Sequence, residues 1–240
     1  MKIIRLFFIL FAVIAKTAHS EECVILLHGL AKSNHSMEKL AESLADEGYE
    51  TVNYDYPSRS ASIKELAATH VETAVKSCSP QATIHFVTHS LGGILVRYYL
   101  KDNTIDNLGK VVMLGPPNQG SEVVDKFHDF PGYVWFGGPA SIELGTKENS
   151  IPQQLGRANF EVGIIAGYRS INPILSTLLP NQDDGKVTVT KTKLTGMKDH
   201  IAMPVTHPFM MKNKKVIQQV KNFLKNGFFL RRKITLTEHY

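Results

Sequence analysis

The run Thr83-Ile84-His85-Phe86-Val87-Thr88-His89-Ser90-Leu91-Gly92-Gly93 passes from a strand pattern to a helix pattern across one serine. Residues 83–87 are few and rich in branched and aromatic side chains, as expected of a strand buried in a parallel sheet. Residues 91–101 resume with a helical period. Ser90 therefore stands on a sharp strand-to-helix turn, followed by Gly92 and Gly93. Such a turn brings helix and strand close together, so small residues are wanted beside the serine. A serine opening a helix is also a common N-cap, which leaves a purely structural reading open at this point.

Outward from the serine, the chain alternates. Residues 23–27, Cys-Val-Ile-Leu-Leu, form another buried-strand run, closed by His28-Gly29-Leu30. A helical stripe follows over 36–47 through Met37, Leu40, Ala41 and Leu44, with Gly48 as the left-handed residue that ends it. Residues 50–54 read as a strand and 62–78 as a helix. Past the serine, 110–114, 161–167 and 201–205 read as strands and 209–224 as a terminal amphipathic helix with Val216, Ile217, Val220 and Leu224 inward. This order predicts one α/β domain over 21–240, built on a doubly wound, mostly parallel sheet. The pattern lapses over 116–160, which holds Pro116-Pro117, Gly137-Gly138-Pro139 and the aromatics Phe127, Phe130, Tyr133, Trp135 and Phe136. Irregular segments this long in a compact domain are often functional, so a cap or substrate-contact segment is expected here. The alternative is a loop packed on its own rings.

Lys2 and Arg5, an apolar run over 6–15 and Ala18-His19-Ser20 read as a signal peptide over 1–20, cleaved after Ser20. The apolar run is about half the ~20 residues that span a bilayer. Export to the periplasm or beyond is the expectation. Removing Lys2, Arg5 and Lys16 leaves 24 basic against 22 acidic side chains, a formal charge of +2. That is too small to argue for nucleic acid. The basic clusters at 212–215 and 231–233 read as solvated faces, with transient contact to a lipid surface as the alternative. Cys23 and Cys78, in an oxidising compartment, are expected to form a disulfide rather than two buried thiols. No paired Cys/His spacing suggests a zinc site, and no metal is expected.

A serine hydroxyl is a weak nucleophile at neutral pH. It needs a histidine to take its proton and a carboxylate to hold that histidine's tautomer and charge. His200 and His207 bracket the last expected strand, and at ~3.3 Å per residue they lie roughly 23 Å apart when extended, so one site cannot use both. Functional groups of parallel α/β sheets gather at the strands' carboxyl ends, which selects His207.

Four stretches carry a resemblance: His28-Gly29-Leu30, Thr88-His89-Ser90-Leu91-Gly92-Gly93, the 115–121 run Gly-Pro-Pro-Asn-Gln-Gly-Ser, and Asp184-Gly185-Lys186-Val187. Together they resemble the compact secreted bacterial lipases and esterases of the α/β-hydrolase superfamily. The resemblance implies a minimal form of that fold, hydrolysis of carboxylic esters with acyl lipids foremost, and no cofactor. Its order of serine, acid and histidine points to Asp184, with Asp183 as the alternative and an ordinary Asp-Gly turn as the structural one. It also implies that the backbone amides of Leu30 and Leu91 receive the oxyanion. The chain departs from the usual Gly-x-Ser-x-Gly at Thr88, where a branched side chain must fit a place commonly held by glycine. An acyltransferase built on the same three residues is a second reading. A non-catalytic, hydrolase-like binding protein is a third, for which Thr88 is the hint.

Overall fold

The computed structural model describes residues 22–171, 176, 179 and 181–231. The expected signal peptide lies outside them. Six strands form one sheet in the order β2-β1-β3-β4-β5-β6: β1 (Glu22–Leu27), β2 (Glu50–Tyr54), β3 (Thr83–His89), β4 (Leu108–Leu114), β5 (Val162–Gly167) and β6 (Asp199–Met203). Every neighbouring pair is parallel. A parallel sheet needs both faces covered, and the strand side chains divide accordingly.

On one face, Val24, Leu26, Val87, Val112 and Ile165 pack under α1 (Glu38–Ala45) and the terminal helix (Lys214–Asn226), which contribute Leu40, Leu44, Val216, Val220 and Phe223. On the other, Ile25, Phe86, Val111 and Ile164 meet Ile63, Leu66, Val71, Ile94 and Leu95. These come from α2 (Ile63–Leu66), a π-helical turn over Ala67–Val71, α3 (Glu72–Lys76) and α4 (Leu91–Asp102). Residues one apart in a strand thus serve opposite layers, and the fold is doubly wound as the alternation predicts.

Local chemistry fixes the element ends. Ser62 and Glu65 form a reciprocal capping box at the start of α2. Asn213 accepts the amides of Lys215 and Val216, so the terminal helix begins at Lys214 rather than at 209. The residues before it, His207–Lys212, wind instead into a 3-10 helix with Pro208 in its first turn. The last strand also begins earlier than its hydropathy suggests, which places His200 within β6 rather than before it. Its Nε2 lies 2.9 Å from the Thr192 hydroxyl.

Cys23 and Cys78 form a disulfide across a separation of 55 residues, with Cα atoms 6.0 Å apart. Cys23 is the second residue of β1, and Cys78 follows α3 on the way into β3, the neighbour of β1. Closing a loop of that size restricts the unfolded chain by about 4 kcal/mol in the chain-entropy model. Reduction, or replacement of both cysteines by alanine, is expected to lower unfolding free energy by about 2–4 kcal/mol, read as a shift of the urea midpoint with an unchanged fold at neutral pH.

Candidate active site

Ser90 lies between β3 and α4 with φ 51° and ψ −117°, a conformation rarely adopted by a residue with a side chain. Its amide donates to Leu114 O of the neighbouring strand at 2.9 Å. The glycines that follow make this turn possible. A methyl group on Gly92 would stand 2.6 Å from Leu27 O, and one on Gly93 would stand 3.1 Å from Thr88 Oγ1 and 3.2 Å from Met113 Sδ. Gly93 therefore provides the space that Thr88 occupies. The threonine is fully buried, and its hydroxyl has no hydrogen-bond partner among the described residues.

His207 is the first residue of the 3-10 helix. Its Nδ1 donates to Asp184 Oδ2 at 2.8 Å, and its backbone amide donates to Asp184 O at 2.9 Å. The other carboxylate oxygen, Oδ1, accepts the amides of Lys186 at 3.0 Å and Val187 at 2.9 Å. Asp184 is fully buried with both oxygens engaged, which is the condition for keeping a carboxylate charged out of water. Asp183 points elsewhere, accepting from the Ser176 hydroxyl at 2.9 Å and the Gly185 amide at 2.7 Å. Two glycines at strand ends leave room for the His207–Asp184 pair. A Cβ on Gly115 would meet Asp184 Oδ2 at 3.0 Å and His207 Nδ1 at 3.1 Å, and one on Gly167 would meet Asp184 Cβ at 2.7 Å.

Ser90, His207 and Asp184 line one cavity of about 410 Å³. Leu30 lines it too. Leu91 is buried at the first position of α4, where a helix amide lacks an intrahelical acceptor. The loop bearing Leu30 is held by Ala31, which takes φ 55° and donates its amide to Ser58 Oγ at 3.0 Å. Burial lowers the pKa of His28, leaving it neutral: Nδ1 donates to Gly29 O at 2.9 Å and Nε2 accepts the Tyr56 amide at 3.3 Å. Its ring also stacks on that of Tyr56.

Residues 116–160 form four short helices, α5 (Glu122–Phe127), α6 (Tyr133–Gly137), α7 (Pro139–Ile142) and α8 (Ile151–Gln154). Pro117, Val123, Val124, Tyr133 and Leu144 of this segment wall the cavity. Trp135, Phe130 and Phe136 face outward, at 79%, 67% and 66% exposure, so the rings do not form a core of their own.

Two further residues hold the site, of which sequence reasoning passed over Arg97. Arg97, on the buried side of α4, donates to Asn118 O and Oδ1, Pro152 O and Gly156 O. It ties both ends of the 116–160 segment to the helix that follows Ser90. A basic residue within the apolar run 94–100 was the available signal. His89 is buried beneath His207: its Nε2 donates to His207 O at 3.0 Å and the ring centroids are 4.7 Å apart. Burial first, and then the charge of a protonated His207, hold its pKa well below 6.5. Among the described residues, no group of three or more His, Cys, Asp or Glu converges to hold a metal.

A family model described as the alpha/beta hydrolase fold matches residues 22–137, from β1 through α6. Among solved structures, the mature Bacillus licheniformis lipase BlEst2 superposes with a TM-score of 0.67 at 18% identity, over 86% of this chain and 93% of that one. The metagenomic carboxyl esterase MGS0156 does so with a TM-score of 0.62 at 18% identity, over 79% and 65%. The Pyrococcus furiosus esterase PF2001 gives 0.58 at 19% identity, over 86% and 82%. No curated protein sequence matches the chain.

His89 is neutral in the fold, whereas the unfolded chain takes up its proton near pH 6.5. The unfolded state then binds more protons below that pH, so stability falls as pH falls through it. The urea midpoint of the wild type is expected to drop between about pH 7.5 and about pH 5.5, and the drop to be smaller in His89→Gln, which keeps a donor but does not titrate. Thr88→Val removes an unpartnered hydroxyl at nearly constant shape. It should raise the unfolding free energy by about 1 kcal/mol.

Proposed function

Since the chain shares the α/β-hydrolase fold, we propose that it is a member of that superfamily and a serine hydrolase cleaving carboxylic esters, with acyl esters foremost. One observation carries the reading: the buried 2.8 Å hydrogen bond between His207 and Asp184 in a cavity that Ser90 shares. With Nδ1 committed as a donor to Asp184, the neutral imidazole presents a lone pair on Nε2. That is the tautomer a general base requires.

His207 Nε2 takes the Ser90 hydroxyl proton as Oγ attacks the ester carbonyl carbon. The carbonyl electrons move onto oxygen, and the amides of Leu30 and Leu91 receive the developing charge. Such donors act on charge present only at the transition state, and losing one typically costs ~3 kcal/mol. As the tetrahedral intermediate collapses, the acyl carbon–oxygen bond breaks and His207 returns the proton to the departing alcohol. Water, deprotonated by the same imidazole, then attacks the acyl-enzyme and frees the acid. Asp184 stays ionised throughout and stabilises the imidazolium.

The 116–160 segment serves as a cap whose apolar residues receive the acyl group. The lipase and esterase activities named for the structural neighbours support this reading, and the disulfide suits an exported enzyme.

The test is turnover of a short-chain p-nitrophenyl ester. Ser90→Ala should lose at least about 10³-fold in kcat and Asp184→Asn about 10³- to 10⁴-fold, while Asp183→Asn stays within about tenfold of the wild type. Equal rates for the wild type and Ser90→Ala would remove the nucleophile assignment. Equal losses at the two aspartates would remove the choice of Asp184.

A further inference from the structure

Lys32 and Lys186 both line the cavity that holds Ser90 and His207, and both are exposed to solvent, which puts them at its rim. Each follows a site residue by two positions: Lys32 comes after Leu30 and Lys186 after Asp184. Their main chains are anchored. The Lys32 amide donates to Gly29 O at 3.3 Å, and the Lys186 amide donates to Asp184 Oδ1 at 3.0 Å, while Lys186 O accepts the Ser121 hydroxyl at 2.8 Å. The same loops that build the site thereby carry both lysines to one opening.

Neither has a counter-ion among the described residues. Among the described residues, Asp184 is the one carboxylate lining the cavity, and its oxygens are taken by His207 and by the amides of Lys186 and Val187. Asp55 shares the neighbouring groove with Lys32, but its Oδ1 accepts the Asn34 amide at 3.0 Å and it forms no ion pair with Lys32. Partial burial lowers the Lys186 pKa and the charge of Lys32 lowers it further, and the Asp184 carboxylate offsets only part of this. Both ammonium charges also add to the depression of His89. Like charges that share a rim with no carboxylate paired to either are relieved by an arriving anion. The wall beyond the lysines is apolar, with Val123, Val124, Leu144 and Ile171.

We infer that the ester taken by this site carries an anionic group, phosphate or carboxylate, on its alcohol side. Lys32 and Lys186 receive that group at the rim while the acyl chain lies along the apolar wall. Only the acyl carbon–oxygen bond is broken. The alcohol departs with its anionic group intact and water supplies the acid's second oxygen.

The inference rests on the ester-hydrolase reading, and the experiment separates the two. Three soluble hexanoyl esters share one acyl chain and differ in the alcohol: glycerol, glycerol 3-phosphate and glycerate. In the wild type, kcat/KM for at least one anionic ester is expected to exceed that for the glycerol ester by about fivefold or more, as two exposed charge pairs can supply. The stronger anionic substrate distinguishes phosphate from carboxylate. The ratio should fall toward unity in Lys32→Met/Lys186→Met and persist in Lys32→Arg/Lys186→Arg. In the wild type alone, added sodium chloride should reduce the ratio by screening. Turnover of the glycerol ester with no anionic preference, or a preference untouched by both salt and the methionine pair, overturns this inference alone. No turnover of any ester overturns the hydrolase reading and this inference with it.

Discussion

The carboxyl edge of the sheet is organised around one buried hydrogen bond, from His207 Nδ1 to Asp184 Oδ2. A carboxylate with no exposure is tolerated only when its oxygens are occupied, and here the acid's own loop occupies the remaining one through the amides of Lys186 and Val187. The backbone repeats the tie, since the His207 amide donates to Asp184 O. Two loops far apart in sequence are thereby fixed to each other. Gly115 and Gly167 matter because any side chain at these strand ends would collide with the pair.

The histidines around this pair divide the electrostatic work. Burial keeps His28 and His89 from taking a proton, so each offers a fixed donor to a backbone carbonyl, Gly29 O in one case and His207 O in the other. One shapes the loop of Leu30, and the other supports the backbone of His207. A protonated His89 would place a second positive charge beneath the imidazole that must itself become charged in the proposed reaction. Desolvation prevents that.

Much of the fold was legible in the sequence because the strands are short apolar runs and the helices carry clean stripes. The exceptions have local causes. The terminal helix begins late because Asn213 caps it, a polar contact that hydropathy does not register. β6 begins early because Asp199 and His200 pair with β5 despite their polarity. At the site, the strand-to-helix turn brought forward Ser90, the end of the last strand His207 and the family resemblance Asp184, and the fold gathers all three into one cavity. Spacing could not reveal the supports: Ser58 reaches the Ala31 amide across 27 residues, and Arg97 reaches Gly156 across 59. Thr88 looked out of place in sequence because its compensating partner, Gly93, is evident only once strand and helix are folded against each other.

Arg97 bears on how a ligand enters. Its guanidinium is buried among carbonyl oxygens with no carboxylate partner among the described residues, and although burial lowers its pKa to about 10, it remains charged at neutral pH. Swinging the whole 116–160 segment away from the sheet would strip that cation of its acceptors at Asn118, Pro152 and Gly156 together, leaving an ion without partners. The segment is therefore not a lid hinged at its ends. Its two feet are bolted down, and any gating motion is confined to the arch between them, where Phe130, Trp135 and Phe136 already face solvent.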